Sequence, residues 1–450
     1  MGAAPPRRSA RAAAVIACSL AVALLGVVIG RANTRAALPA HLLGHPVVVL
    51  PALLDATAQA SLMALARELG AFGSVAGAEN AYEMRHEDIG EGLAHPANAA
   101  GGCDHAFLVP SRDGRRCILP GRVDVGRHYV MTGGVEGRKE THADLVSRAQ
   151  SFIRYLFAPS EHTVTRELFS SAPFLAAARA VCPQRDAAVL DAFQASIIIQ
   201  VPGQTVPAHL DGVWFAGADR FHVPQWLLAV MAFSGLFRER FVDQVQLVAY
   251  FAPPGVGARR GGAFTHWADG AAVATPCTPG SGTAMDGSKT VHAAAVFEPA
   301  AAPPRLSKDA VNVLSASDDG GWELRSDNAT RARWPAAALR YSVVYRARCF
   351  ASEAARDAFN DAQRAGRGLL DLEGGILAPL KDEAVRRGAA PSRAALDALP
   401  RLDLALKLVD AFVAYPKPAA LPNYCALPLA FPRARWLARI IGAVCPRQTT

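Results

Sequence analysis

From residue 189 onward, glycine and proline cut the chain into short apolar runs, and this punctuation constrains the fold more than any other feature. The run "FQASIIIQVPGQ" is rich in β-branched residues and stops at Pro202 and Gly203, which predicts a buried strand and a turn. "VDQVQLVAYFAPPG" alternates and stops at Pro253 and Pro254, while "GGAFTHWADG", "GTAMDGSKTVHAAAVFEP" and "LRYSVVYRARCF" supply three further strands. Many short strands broken in this way argue for a β-sandwich or barrel rather than alternating βαβ units.

Upstream, "HPVVVLPALLDATAQASLMALAREL" predicts a short strand and then a helix with Leu54, Ala58, Leu62 and Leu65 near one face. Residues 73–140 are rich in Gly, Asn and His and read as long loops with short strands. Residues 141–182 return to helical periodicity, with "LVSRAQSFIRYLF" the clearest piece. Inside the strand block, "PQWLLAVMAFSGLF" is almost wholly apolar but too short to span a membrane; it reads as a buried helix, with docking on a membrane surface as the alternative. Residues 300–335 are rich in Pro, Ala, Asp and Ser and read as a surface insertion. Ala-rich helical stretches follow from 351 to about 412, then a Pro-punctuated tail.

A mononuclear iron(II) oxygenase needs two His and one carboxylate on one face of an octahedron, leaving the other positions open. In an extended strand residues i and i+2 point the same way, so His-x-Asp can present two ligands to one metal. Three such pairs occur. His86 with Asp88 lies in a loop-like region, and His142 with Asp144 opens a predicted helix, where i and i+2 diverge. Only His209 with Asp211 follows a buried strand and a Pro/Gly turn, and downstream of it come a strand, "GGAFTHW", a Gly-containing turn and "KTVHAAAVF" with His292. The last strand offers Arg340 and Ser342 on one face, a guanidinium fork and a hydroxyl suited to a carboxylate.

Taken together, "VPAHLDGVWF", "GGAFTHW", "VHAAAVF" and "RYSVVYR" resemble the 2-oxoglutarate and Fe(II) dependent oxygenases, prolyl-hydroxylase-like members in particular, over about residues 46–350. The resemblance implies an α+β fold with a double-stranded β-helix (jelly-roll, cupin-like) core and flanking helices. It implies that His209, Asp211 and His292 hold the iron, and that Arg340 and Ser342 match the family's Arg-x-Ser element for the 5-carboxylate of 2-oxoglutarate, the co-substrate. It implies a dioxygenase that uses O2 to decarboxylate oxoglutarate to succinate while hydroxylating an unknown substrate, a secretory-pathway protein or another molecule. Two departures stand out: 48 residues separate His292 from Arg340, far more than the family's usual spacing, and prolyl hydroxylases commonly carry Lys where Arg340 stands. Arg346, on the same strand face, is a rival anchor and Lys289 a weaker one. A non-catalytic cupin-like binding module is the main alternative; a membrane-anchored glycosyltransferase is another, although its Asp-x-Asp metal motif is absent from the sequence.

The first 54 residues contain no acid, and after Arg7, Arg8 and Arg11 come 19 uncharged residues, 12–30, enough helix to span a hydrocarbon core. The expectation is a cytoplasmic N-terminus (1–11), a transmembrane signal anchor (12–30), a stem (31–45), an oxygenase domain (46–350) and a C-terminal helical extension (351–450). That describes a type II protein of the endoplasmic reticulum or Golgi membrane with a lumenal catalytic domain; a cleaved signal peptide or an organelle transit peptide are the alternatives. A lumenal body suits a glycan at the sequon Asn328, Ala329, Thr330, and staples joining Cys103 to Cys117 and Cys425 to Cys445. No C-x-x-C occurs, so a zinc ribbon or dithiol site has no support. The net charge of +8 comes from Arg scattered in an Ala-rich background with no basic stripe, which argues against a nucleic-acid partner.

Overall fold

The computed structural model describes residues 38–74, 95–96, 99, 109–110, 115–118, 122–134, 136–184, 188–306, 310–327, 329–417, 423–426, 441 and 445. Its first strands are β1 (Val47–Leu50), β2 (Ala71–Ser74), β3 (His95–Pro96), β4 (Val109–Pro110), β5 (Arg116–Ile118) and β6 (Phe152–Leu156). The strand block contributes β7 (Val189–Gln200), β8 (Val206–His209), β9 (Gln244–Phe251), β10 (Phe264–His266), β11 (Val273–Thr275), β12 (Gly282–Met285) and β13 (His292–Ala294). Last come β14 (Asn312–Ala316), β15 (Gly321–Ser326), β16 (Ala329–Pro335) and β17 (Arg340–Phe350). The helices used below are α1 (Ala56–Leu69), α2 (Val123–Thr132), α3 (His142–Arg148), α4 (Thr163–Ser170), α5 (Ala172–Val181), α6 (Gln225–Ser234), α7 (Glu353–Arg364), α8 (Ala378–Arg386), α9 (Arg393–Asp397) and α10 (Arg401–Phe412).

Helices thus mix with antiparallel sheets. A ten-stranded sheet runs in the order β1-β12-β9-β17-β7-β6-β2-β14-β15-β16, and a four-stranded sheet in the order β11-β10-β13-β8. Alternation along the central strands of the large sheet makes its two faces chemically different. One face presents Ile197, Ile199, Leu247, Phe251, Tyr341, Val343 and Tyr345 to Leu62 and Leu65 of α1, Leu168 of α4 and Phe174 of α5. The other carries Gln194, Gln200, Gln246, Thr283, Arg340 and Ser342, all buried as well. It faces the small sheet, since Val248, Tyr250, Met285 and Val344 pack against Phe264 of β10. A buried polar wall between two sheets is what a binding site needs and a plain core avoids.

The small sheet is backed by α6, whose Trp226 to Phe233 are all buried among Ala293, α2, α8 and α10. The apolar run around 224–237 is therefore a buried helix, as read. α1 begins where Asp55 accepts from the Ala58 amide and ends at Gly70.

Three expectations change. "LVSRAQSFIRYLF" is helical only to Arg148; Phe152–Leu156 is strand β6, because Phe152 and Leu156, four apart, fit a strand face as well as a helical one. Residues 312–335 are no looped-out surface segment but the antiparallel meander β14-β15-β16, paired to β2 and anchored by fully buried Trp322. The membrane partner does not stand either. No helix among the described residues is long and apolar enough to cross a membrane: a span takes about 20 apolar residues, and the most apolar helix, α6, has 10. The type II endoplasmic reticulum or Golgi placement falls with it. Residues 12–30, Cys103 and Asn328 lie outside the described residues. Cys425 and Cys445 are joined as read, and Cys182 joins Cys349, tying the end of α5 to β17.

Candidate metal centre

β8 ends on His209 and β13 begins on His292, and the two residues are direct partners in the antiparallel register, so their rings lie 4.3 Å apart. Asp211 follows two residues later, its amide held by the Gly287 carbonyl at 2.8 Å. Ligand atoms of His209, Asp211 and His292 all lie within 4.8 Å of one another. Each imidazole is oriented from behind: Nδ1–H of His209 donates to the Pro207 carbonyl at 2.7 Å and that of His292 to the Thr290 carbonyl at 2.9 Å. This fixes the tautomer with Nε2 free as a donor atom. The Nε2 atoms then face the Asp211 carboxylate at 3.6 and 3.4 Å.

The electrostatics suit a cation. Burial pushes His292 down to about 3, with repulsion from His209 acting the same way, so its ring is neutral and ligating near neutral pH. Burial works against ionising Asp211, yet Arg346 and the two imidazoles hold its carboxyl well below the usual range. Arg346 donates to Asp211 Oδ1, whereas Oδ2 is buried without a hydrogen-bond partner. A buried carboxylate with one orphaned oxygen, facing two imidazole nitrogens across its two oxygens, fits a divalent metal. Gly287 is required by this crowding: a Cβ there would lie 2.3 Å from Asp211 Oδ2 and 2.9 Å from Gln246 Oε1.

Arg340 and Ser342 stand on the same wall, on β17, with Ser342 opposite Tyr250 of β9. Arg340 donates to Gln200 Oε1 and lies over the Tyr250 ring, 4.8 Å from its centroid. Its Nε and the Tyr250 hydroxyl are both buried without a partner. Burial pushes Tyr250 up to about 12, which keeps the hydroxyl protonated and able to donate. Two unspent donors side by side can take a carboxylate. Gly262, with φ of +67°, makes room for this side chain, since a Cβ would sit 3.0 Å from Arg340 Cδ.

Of the rivals, Arg346 donates one guanidinium nitrogen to Asp211 while its Nε is buried without a partner, and Lys289 pairs with Asp243 and Asp286. The second His-x-Asp pair opens α3, where Asp144 accepts from Thr141 and pairs with Arg305, so it serves a helix end. His86 and Asp88 lie outside the described residues. Sequence reasoning missed Tyr250, Gln246 and Gly287. The signal for the first two was the polar alternation of "QVQLVAY" in a strand buried on both faces.

No family model matches the chain, and no curated protein sequence matches it. Among solved structures it is similar to a Pseudomonas putida prolyl-4-hydroxylase, with 12% identity over 68% of this chain and 92% of that one and a TM-score of 0.25. It is similar to a 2OG-Fe(II) oxygenase family oxidoreductase from Burkholderia pseudomallei, with 13% identity over 44% and 68% and a TM-score of 0.24. A third is a Trichoplax adhaerens prolyl hydroxylase in complex with a hypoxia inducible factor peptide fragment, with 8% identity over 74% and 92% and a TM-score of 0.29. At these identities and TM-scores the likenesses carry no argument about this chain.

Proposed function

We propose that this chain is an Fe(II) and 2-oxoglutarate dependent dioxygenase whose two sheets are the walls of a double-stranded β-helix. One observation carries the reading: the Nε2 atoms of His209 and His292, their rings fixed by backbone carbonyls, both face the Asp211 carboxylate, whose buried Oδ2 has no hydrogen-bond partner. The three residues would hold the iron. When bound, the metal would supply the activation of O2 that couples decarboxylation of oxoglutarate to oxidation of a substrate.

The protein's own contribution is orientation and charge. Arg346 fixes the Asp211 carboxylate by its Oδ1, leaving Oδ2 for the metal. Arg340, with Tyr250 and Ser342 beside it, binds the distal carboxylate of oxoglutarate at the far end of the polar wall. The buried setting makes each of these charge-assisted bonds stronger than in water. Calorimetric titration under anaerobic conditions tests the reading. One Fe(II) per chain is expected, with oxoglutarate binding only to the iron-loaded protein and neither binding to Asp211→Ala. Oxoglutarate binding that ignores iron and Asp211 would overturn it. Screening peptide, glycan and lipid pools for an oxoglutarate-dependent gain of one oxygen then identifies the substrate class.

A further inference from the structure

Leu210 stands between the two ligands of the His-x-Asp pair, so its backbone sets how His209 and Asp211 are spaced and aimed. β8 has ended at His209, and the buried N–H and C=O of Leu210 need partners from outside the sheet. They find them in one compact network. Arg122 Nη1 donates to the Leu210 carbonyl at 2.8 Å, and the Leu210 amide donates to the Tyr415 hydroxyl at 3.4 Å. That hydroxyl donates to Asp124 Oδ2 at 2.6 Å and accepts from Arg122 Nη2 at 3.1 Å. Arg122 closes the ring by forking onto Asp124, with both contacts at 3.2 Å. Asp124 is fully buried, and Tyr415 is held edge-on by His128 and Phe233, with ring centroids at 5.5 and 5.0 Å.

The three residues come from two distant parts of the chain, the start of α2 and the segment that follows α10. A buried ion pair of this kind is weak evidence of stabilisation, because desolvation offsets its attraction; its use is to specify one geometry. Here the geometry specified is that of the metal-binding turn. We infer that Tyr415, Arg122 and Asp124 are positioning groups for the metal centre. By fixing the Leu210 backbone they set the bite of His209 and Asp211, which makes the segment after α10 a working part of the site. The inference rests on the metal-centre reading above.

Tyr415→Phe removes the hydroxyl and keeps the ring packing, and Arg122→Lys removes the fork and keeps the charge. Losing an outer hydrogen bond behind a metal ligand weakens metal affinity by roughly 10-fold to 100-fold. Co(II) titration of the full-length protein reads this directly, with the visible spectrum of the bound Co(II) reporting ligand geometry and near-ultraviolet circular dichroism reporting the fold. Phe412→Leu is the control, a buried change on α10 at a ring that packs beneath Arg387 and makes none of the network's hydrogen bonds. We expect both network variants to shift the Co(II) spectrum and weaken binding by about 10-fold or more, and Phe412→Leu to do neither. If Tyr415→Phe does not fold, Arg122→Lys decides alone. Wild-type affinity and spectrum in the network variants would overturn the inference, as would an equal loss in Phe412→Leu. A wild-type protein that takes up no Co(II) would instead remove the metal-centre reading beneath it.

Discussion

Two arginines on one face of β17 have different partners, and that separates their expected phenotypes. If Arg340 receives the oxoglutarate 5-carboxylate, Arg340→Ala loses a charge-assisted bond in a closed site, on the order of 2 to 4 kcal/mol or roughly 30-fold to 1,000-fold in oxoglutarate affinity. Arg340→Lys keeps the charge but not the fork and should fall between that variant and wild type. Ser342→Ala should cost about 1 kcal/mol. Arg346→Ala should weaken metal binding and leave the oxoglutarate KM at saturating iron unchanged, because its partner is Asp211. An Arg346→Ala enzyme with a raised oxoglutarate KM, alongside an unaffected Arg340→Ala enzyme, would reverse the assignment. At Gly287 the prediction is steric: Gly287→Ala drives a methyl group into Asp211 Oδ2, so metal stoichiometry should drop while the melting temperature stays within a few degrees. Normal stoichiometry would mean that Asp211 has room to move. The grouping of His209, Asp211 and His292 was legible in sequence because strand periodicity and chain order constrain it. Arg346 as the partner of Asp211 was not, since that contact joins residues 135 apart and depends on how two sheets face each other.

At the scale of elements, strands that end in Gly or Pro were legible, and elements whose apolar spacing fits both periods were not. The central strands β7, β9 and β17 and the buried helix α6 follow from composition and length. β6 was misread because Phe152 and Leu156 satisfy a helical and a strand face alike. The meander β14-β15-β16 was misread because Ser317, Asp318 and Asp319 form its first turn and its apolar burial rests on Leu314, Trp322 and Leu324 alone. Trp322 packs edge-on to Phe72 and beside Tyr341 on the helix-covered face of the large sheet, away from the polar wall. Trp322→Ala should therefore destabilise the protein by about 3 to 5 kcal/mol and leave Co(II) affinity intact, as a denaturant titration and a metal titration of the same sample would read. Loss of metal affinity at unchanged stability would place the meander in the site rather than in the scaffold.

For the whole molecule, two apolar cores enclose a polar seam: α1, α4 and α5 pack on the large sheet, and α6 with α2, α8 and α10 on the small one. The seam holds the candidate site, and Tyr415 ties the far end of the chain to it. This tie should be visible in pH dependence. Burial pushes the neighbouring His128 down to about 4, with Arg127 acting in the same direction, so the folded protein keeps it neutral where the unfolded chain would protonate it. The stability it contributes is complete above pH about 6.5 and is lost as pH falls toward about 4. Across that window the denaturation midpoint should fall less steeply in His128→Gln than in wild type; parallel curves would mean that His128 is protonated in the fold. The most direct measurement for the molecule as a whole is succinate release from 2-oxoglutarate with Fe(II) and O2, comparing the wild type with Asp211→Ala. Slow, iron-dependent succinate formation by the wild type and none by the variant is the predicted result; equal formation by both, or none by either, would contradict it.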